Sequence, residues 1–351
     1  MTRTNRLVLS CVTLLGCTAA LPPAVAEACT AFAVRNSQGV FVGKSYDWHT
    51  GDGVVLQNPA GLRKRAPLFR TNVSAHEWTA RYASLTFNQH GQDLPLGGIN
   101  ERGLVIETLW LSTTRHPSLD SKRPTTNELS LVQYMLDSAA TTAEALAAAK
   151  RVQVAVAAGR VHYLICDERY ACATLEYLDG ETVVHTGKTL AVPVLTNHPY
   201  AAAVEATRQR KHRLRRSSLG RFAEARRRVG SLGVIPAASA ERWVFEALDA
   251  VMIHGYSRWQ IFYDVAGRQV VVKTTDAPNH PLRIKLERSA CQKGRRAVDL
   301  QGALIGLKGK PLAFGPKHNL TLLSRGLHSV GLPAQVAKSL AALSEATTRC
   351  N

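Results

Sequence analysis

The N-terminal residues form the only long apolar run of the chain that could reach across a membrane. Arg3 and Arg6 precede this run, which covers residues 7–25 and carries Pro22 and Pro23 near its end. A positive segment followed by an apolar stretch and small residues is typical of an export signal, with a retained anchor helix as the alternative. We therefore expect residues 1–28 to be removed as a signal peptide, and the remainder to fold as a globular, periplasmic or secreted protein without integral membrane association.

Small residues permit two cleavage points, after Ala26 or after Ala28. Cleavage after Ala28 would make Cys29 the N-terminal residue of the mature protein. A lipoprotein-type cut before Cys17 is a third alternative, but Leu15 is unusual at that distance from the cut. Acylation of Cys17 would also leave Cys29 inside the chain.

The composition after this segment is that of a globular protein. Of the 351 residues, 45% are hydrophobic and 20% are charged, which is too apolar for a disordered chain. No linker rich in Pro, Gly or Ser and no fixed-period repeat divides the sequence. We predict a single domain over residues 29–351, in which residues 307–351 form a C-terminal extension of unclear role.

Positive charge is concentrated in one segment. The 44 Lys and Arg residues against 26 Asp and Glu give a net charge of +18, and ten of these cations lie within residues 208–228. Positive charge attracts anionic partners, but nucleic-acid grooves interleave aromatic residues with cations, and Phe222 is the only aromatic residue of this segment. We interpret the segment as a solvated helical face and expect no nucleic-acid partner. A non-catalytic protein that binds anionic polymers or lipid headgroups is the competing hypothesis.

Five of the seven cysteines remain after export, so an odd thiol is expected in an oxidising compartment. Cys166 and Cys172 flank five residues between two strand-like runs, where a hairpin could hold them opposite each other. A bridge between Cys291 and Cys350 would follow by elimination. The alternative is that all four are ordinary buried thiols.

Turn signals and hydrophobic periodicity predict an α+β fold with helices covering sheets. The first third alternates strands with turns and begins with a hairpin of residues 30–34 and 40–48. Two helices follow at residues 129–136 and 143–152, with Thr141 or Thr142 as the N-cap of the second. The later elements are strands at 162–177, 182–185 and 190–195, a basic helical stretch at 201–229, a helix at 240–253 capped by Ser239, and a hairpin of 259–263 and 269–274.

Cys29 carries the strongest indication of chemistry, because cleavage before it would combine a nucleophile and a base in one residue. Its thiol can attack a carbonyl carbon while its free α-amine, with an ordinary pKa of about 8, manages the proton. A nearby cation would stabilise the thiolate, and a carboxylate could hold the amine. Lys44 and Asp47 are the candidates, since the first hairpin returns them towards Cys29; Lys44 could instead pair with Asp47. An inert cysteine is the alternative.

Several motifs follow Cys29 in a characteristic order over residues 29–286. They are CTAFAVRNSQGVFVGKSYDW, GGINERGLVIETLWL, ELSLVQYMLDSAAT, ICDERYACATLEYLDGETVVHTG, VLTNHP, SSLGRF and RWQIFYDVAGRQVVVKTTD. Together they resemble the choloylglycine hydrolase and penicillin V acylase family, whose members are N-terminal-nucleophile amidases. The resemblance implies a four-layer αββα sandwich, a small-molecule amide substrate and a homo-oligomer, specifically a tetramer.

Carried over position by position, the resemblance makes Cys29 the nucleophile and Asp47 the carboxylate that holds its α-amine. Asn197 in VLTNHP matches an asparagine whose side-chain amide binds the oxyanion. The backbone N–H of Trp110 falls where the family has a second oxyanion donor, and two such donors suit acyl transfer. Arg221 in SSLGRF matches an active-site arginine, with one more solvated arginine as the alternative.

Two positions depart from the family pattern. Lys44 replaces an arginine, which keeps the charge but loses the planar fork that can bind two groups at once. Trp110 stands where several relatives have asparagine or tyrosine. Its indole would favour aromatic or acyl groups over a steroid if it lines the pocket, or pack in the core otherwise.

The expected function is that of an exported cysteine amidase acting on linear carboxamides of the penicillin V, conjugated bile salt or N-acyl-homoserine lactone type. An acyltransferase at the same thioester is an alternative. No nucleotide-binding motif occurs, so we predict no cofactor. We also predict no metal, because four histidines lack partners at metal-ligand spacing, namely His49, His162, His185 and His198.

Overall fold

The computed structural model describes most of the chain after the predicted signal peptide. The described residues are 29–68, 72–157, 159–209, 217–230, 233–236, 239–301, 309–329, 331 and 333–350. The predicted signal peptide at residues 1–28 lies outside them. No helix among the described residues is long and apolar enough to cross a membrane.

The smaller of the two main sheets has six antiparallel strands and begins directly after Cys29. In spatial order its strands are β15 (Val194–Leu195), β1 (Thr30–Asn36), β2 (Gly39–Asp47), β16 (Ser257–Asp264), β17 (Gln269–Thr274) and β18 (Ala277–Lys285). The predicted first hairpin is confirmed as β1 and β2, and the predicted later hairpin as β16 and β17.

The larger sheet has nine antiparallel strands. In spatial order they are β14 (Glu181–Thr186), β13 (Cys172–Leu178), β12 (Val161–Cys166), β9 (Val105–Trp110), β8 (Pro95–Asn100), β7 (Ser84–Asn88), β3 (Val54–Asn58), β19 (Arg295–Asp299) and β20 (Pro311–Phe314). Two small sheets lie beside it. They contain β11 (Gln153–Val154), β10 (Pro124–Thr126) and β5 (Ser74–Ala75), and β21 (Arg349–Cys350), β4 (Leu62–Arg65) and β6 (Glu77–Thr79).

Seven helices are described. They are α1 (Ser130–Ser138), α2 (Thr142–Arg151), α3 (Tyr200–Arg208), α4 (Ser218–Val229), α5 (Ala240–Val251), α6 (Pro316–His328) and α7 (Ala334–Thr347). Thr141 caps α2 by accepting a hydrogen bond from the backbone N–H of Glu144 at 3.2 Å, as one of the two predicted caps.

The two main sheets pack face to face, and helices cover both outer faces. Between the sheets, the Phe87 ring of β7 meets Tyr263 of β16 edge-on at 5.9 Å. On the outer face of the smaller sheet, Trp243 of α5 packs on Phe32. Helices α1 and α2 cover the opposite outer face, where Met135 belongs to the apolar cluster of that side. The predicted αββα sandwich is confirmed.

Three local predictions were wrong. The basic stretch at 201–229 is not one helix, because α3 ends at Arg208 and Ser217 is extended before α4. Ser239 precedes α5 with φ of 58° and makes no side-chain cap, and α5 ends at Val251. Only Val194–Leu195 of the predicted strand at 190–195 is a strand.

Both suggested disulfides are present. Cys166 is bonded to Cys172 across the hairpin of β12 and β13, and Cys291 is bonded to Cys350. Among the described residues Cys29 is the free cysteine, and it is buried. The odd thiol expected from the cysteine count is therefore the predicted nucleophile.

The described part of the C-terminal extension packs on the end of the larger sheet. Leu323 of α6 and Leu340 of α7 share an apolar cluster with Leu94. A Cβ at Gly326 of α6 would collide with the backbone carbonyl of Gln89, so the helix and that turn are in direct backbone contact. Whether residues 29–351 fold as one domain stays a prediction.

We expect Gly326→Ala to lower the free energy of unfolding by about 1–3 kcal/mol, because the added methyl collides with backbone. This steric cost exceeds the gain of about 1 kcal/mol that alanine gives in a helix. Urea denaturation measures the change. Ser324→Ala, on a partly exposed face of the same helix, should change stability by less than about 0.5 kcal/mol. Equal stability of the Gly326→Ala variant and the parent would contradict the close contact.

Candidate active site

Cys29 directly precedes β1 of the smaller sheet. The register of β1 and β2 pairs Thr30 with Ser45, which places Cys29 beside Asp47 at the end of β2. Cys29 is 6% exposed, and its Sγ lies 3.8 Å from the backbone carbonyl oxygen of Asp47. The hairpin thus joins the two residues that the sequence assigned as nucleophile and amine-holding carboxylate.

The Asp47 carboxylate is buried and only partly satisfied. Its Oδ1 accepts a hydrogen bond from the Ser45 hydroxyl at 2.7 Å, whereas its Oδ2 has no hydrogen-bond partner among the described residues. Burial raises the pKa of Asp47, and the nearby hydroxyls of Ser257 and Ser45 and the positive charge of Arg221 oppose that rise. A buried carboxylate oxygen without a donor is suited to receive a cationic group.

The thiol itself is shielded from water but lies in a positive field. Burial raises the pKa of Cys29, and the largest opposing influence is the charge of Lys44, with a smaller one from Arg221. Asp47 acts in the other direction. The thiolate therefore depends on these two cations for its stability.

Lys44 does not pair with Asp47, which was one expectation from the sequence. Its Nζ forms an ion pair with Glu107 Oε2 at 3.5 Å and donates a hydrogen bond to the Thr108 carbonyl, both on β9 of the opposite sheet. Burial raises the pKa of Glu107 to about 7, opposed by Lys44 and by the hydroxyl of Tyr263. The sequence analysis missed Glu107, although an acidic residue inside the apolar run LVIETLWL is a usable signal.

The side chain of Asn197 is hydrogen-bonded to both Trp110 and Arg221. Its Nδ2 donates to the Trp110 carbonyl at 2.8 Å, and its Oδ1 accepts from Arg221 Nη2 at 2.7 Å. Because an amide nitrogen has two hydrogens, the second remains for a further acceptor. Arg221 also donates from Nε to the Thr30 hydroxyl at 3.3 Å, next to Cys29. The structure thus brings together the predicted residues from four distant segments.

The backbone N–H of Trp110 points to the same side as the Asn197 amide. The N–H of Leu111 donates to the carbonyl of Arg160, the residue before β12, at 2.8 Å. Because backbone polar groups alternate in direction along a strand, the N–H and C=O of Trp110 point away from β12, towards the side of β8. The pairing of β9 with β8 ends at Gly97 and Glu107, before it reaches Trp110. The N–H of Trp110 is therefore not used in the pairing of these two strands.

An aromatic pair borders this region. The indole rings of Trp48 and Trp110 lie 6.1 Å apart, and both side chains are partly exposed. Trp48 directly follows Asp47 and was not predicted as a site residue. A tryptophan at the end of the first hairpin does not by itself indicate a functional site in the sequence, because indole rings are common in cores.

Arg221 is distinct from the cations at the C-terminal end of its helix. Ser217 caps α4 by accepting from the Gly220 N–H at 3.1 Å, which places Arg221 in the first turn, 2% exposed. Burial lowers the pKa of Arg221, opposed by Asp47 and Cys29. At the other end of α4, Arg227 and Arg228 both pair with Glu224. Arg221 therefore belongs to the site, which contradicts its role as a solvated arginine; the cations of residues 210–216 lie outside the described residues.

Within the described ranges, no cluster of three or more His, Cys, Asp or Glu side chains could hold a metal ion. The prediction of a metal-free and cofactor-free site stays a prediction.

The αββα sandwich is the fold of the N-terminal-nucleophile hydrolases, and here a buried cysteine precedes its first strand. A sequence model described as linear amide C-N hydrolases, choloylglycine hydrolase family, matches residues 29–234. The chain belongs to this family.

Known relatives agree with this assignment. The chain is 28% identical over 219 residues to a penicillin V acylase of Pectobacterium atrosepticum, in a match that spans 57% of each chain. The structure of penicillin V acylase from Agrobacterium tumefaciens superimposes with a TM-score of 0.67 at 22% identity, covering 78% of this chain and 92% of the other. A variant of conjugated bile acid hydrolase from Clostridium perfringens gives 0.59 at 15% identity, covering 82% and 97%. These structures show the shared fold.

We expect Lys44→Met to raise the pKa of the Cys29 thiol, because the largest opposing positive charge is lost. The rate of alkylation by iodoacetamide should then need a higher pH, while Lys44→Arg should stay near the wild-type profile. Alkylation rates across the pH range measure the shift, with Lys150→Met on exposed α2 as a control for lost net charge. Superimposable profiles for Lys44→Met and wild type would exclude a role of Lys44 in stabilising the thiolate.

Proposed function

We propose that this protein is an exported cysteine amidase that hydrolyses linear carboxamide C–N bonds through a thioester on Cys29. The observation that carries the proposal is the meeting, around one buried thiol, of Asp47 on one side and the Asn197–Arg221 pair on the other. Membership of a linear amide hydrolase family supports the reaction class. Removal of residues 1–28 is part of the proposal, because only then does Cys29 carry a free amine.

The first half of the reaction forms the thioester. The α-amine of Cys29 takes the thiol proton, and the thiolate attacks the amide carbonyl carbon. The second N–H of Asn197 Nδ2 and the backbone N–H of Trp110 donate to the resulting oxyanion. The α-ammonium then returns its proton to the leaving nitrogen as the C–N bond breaks, and a free amine departs.

The second half releases the acid. Water attacks the thioester, and the α-amine removes its proton as the same two donors stabilise the second oxyanion. The C–S bond breaks, the thiol is restored and a carboxylic acid leaves. As the C–S bond breaks, the α-ammonium returns its proton to the sulfur; Asp47 Oδ2, which lacks a donor among the described residues, holds the α-ammonium each time it forms.

Arg221 prepares the oxyanion site rather than reacting. By donating to Asn197 Oδ1, it fixes which end of the amide faces the substrate. Its buried charge also favours the thiolate and the oxyanion over their neutral forms. These effects act before the substrate arrives, which is what a preorganised site requires.

The aromatic pair supports a substrate with a flat or extended acyl group. Trp48 and Trp110 offer indole surface beside the Asn197 amide. Amides of the penicillin V, conjugated bile salt or N-acyl-homoserine lactone type, some of them anionic, are the proposed substrates. A periplasmic or secreted location and a tetrameric assembly belong to the same proposal.

Maturation at Cys29 is testable directly. We expect intact mass and N-terminal sequencing of the exported protein to give a chain that begins with Cys29. A chain with one extra residue, Ala28, should fold but lose turnover by about 10²–10⁴, because an amide nitrogen cannot act as the base. Full activity in a chain that begins at Glu27 would contradict the mechanism.

We expect Asn197→Ala to lower kcat by about 10²–10³, because a donor to the oxyanion is lost. Iodoacetamide should still alkylate Cys29 at the wild-type rate, since alkylation forms no oxyanion. The exposed Asn279→Ala variant is the control for a general effect of losing an asparagine. Wild-type kcat in Asn197→Ala would remove this residue from the site.

A further inference from the structure

Two ionisable side chains face each other on the inner surface of the larger sheet, beyond the site described above. His162 of β12 and Glu176 of β13 lie on neighbouring strands, and both are fully buried. Their side chains are in contact, with Nδ1 of His162 2.9 Å from Oε1 of Glu176. A charged pair in a core is costly unless further hydrogen bonds satisfy it, so its partners indicate its role.

The hydrogen-bond partners of the pair in the backbone belong to the segment that carries Asn197. The Nε2 atom of His162 lies 2.6 Å from the carbonyl oxygen of Thr196, one residue before Asn197. The carboxylate of Glu176 accepts from the backbone N–H of Tyr200, the first residue of α3, at 3.0 Å. The pair therefore holds the VLTNHP segment on both sides of Asn197.

The peptide unit between Thr196 and Asn197 is fixed at both of its polar groups. His162 holds its carbonyl, and the hydroxyl oxygen of Ser218 accepts from its N–H, the backbone N–H of Asn197, at 2.8 Å. A peptide unit is planar, with its C=O and N–H pointing in opposite directions. Two bonds on opposite edges therefore fix the orientation of the plane, and with it the direction in which the Asn197 side chain leaves the backbone.

The chemistry of the histidine fits this task. Both ring nitrogens of His162 lie within hydrogen-bond distance of an oxygen atom, one of a carboxylate and one of a carbonyl, so the ring is held at both ends. His185 approaches the other carboxylate oxygen of Glu176 at 3.9 Å. Orientation of an imidazole by a carboxylate behind it is a known means of fixing the ring and its protons.

We propose that His162 and Glu176 are positioning residues that set the Asn197 amide at the distance and angle the oxyanion requires. The inference rests on the proposed function, because it acts through Asn197. Neither residue touches the thiol in this arrangement. Loss of His162 should therefore impair the stabilisation of the oxyanion and leave the nucleophile intact.

A double-mutant cycle tests the proposal. We expect His162→Gln to lower kcat by about 10–100-fold, because small displacements of a catalytic group are costly, with KM changed by less than about twofold. Alkylation of Cys29 should proceed at the wild-type rate. In the Asn197→Ala background the same substitution should lower kcat by less than about threefold, because the group it positions is already gone.

Two further variants make the result decisive. Thr174→Val removes a buried hydroxyl that has no hydrogen-bond partner among the described residues, on the same face of β13 as Glu176, and should retain wild-type kcat. Ser218→Ala frees the other edge of the same peptide unit and should reproduce the coupled loss, which covers the case in which His162→Gln does not fold.

The outcomes separate the two claims. If the fold-loss of kcat in the double variant equals the product of the two single losses, for His162→Gln with Asn197→Ala or for Ser218→Ala with Asn197→Ala, the positioning role is overturned. The amidase mechanism would still stand. If His162→Gln lowers the alkylation rate of Cys29 as much as it lowers kcat, the positioning role is also overturned, since that result indicates a general disruption of the structure. Wild-type kcat in Asn197→Ala would instead refute the oxyanion assignment on which the inference rests.

Discussion

The face-to-face packing of two sheets imposes the main physical constraint on this molecule. The space between them is apolar, so a polar group placed there is costly unless it finds a partner. Lys44 of the smaller sheet reaches Glu107 of the larger one, and Asn197, which follows β15 of the smaller sheet, donates to Trp110 of the larger one, so each bond joins segments that are far apart in sequence. The thiol of Cys29 lies among these pairs. Its environment is therefore set both by the neighbouring strand β2, which carries Lys44 and Asp47, and by the contacts across the sandwich that hold Lys44 in place.

Local features of the structure could be predicted from the sequence, and features that depend on contacts between the sheets could not. The first hairpin and the Cys166–Cys172 bridge follow from turn residues and from spacing within a few positions. Positions of Asn197 and Arg221 came from a family resemblance, because no periodicity relates them to Cys29. The Glu107 partner of Lys44 was missed, since nothing within one strand indicates which side chain will face it across the sandwich.

The prediction of one basic helical stretch over residues 201–229 failed at Ser217. Its extended backbone and its side-chain cap start a new helix, α4, whereas α3 ends at Arg208. That new start has a consequence for the site. It directs Arg221 inwards from the first turn of α4 and places Ser218 against the backbone of Asn197. In one continuous helix, Arg221 and Ser218 would point in other directions.

Lysine suits position 44 because of the same packing. A lysine ammonium is a compact charge with three donors, and one carboxylate and one carbonyl take up most of its capacity here. A guanidinium would keep the positive charge near the thiol, with five donors in a fixed plane instead of three on one atom. The carboxylate of Glu107 in turn occupies the volume that a side chain at Gly97 would fill, because a Cβ there would collide with it. Lys44, Glu107 and Gly97 therefore form one packed unit, in which the charge next to the nucleophile depends on the absence of a side chain on β8.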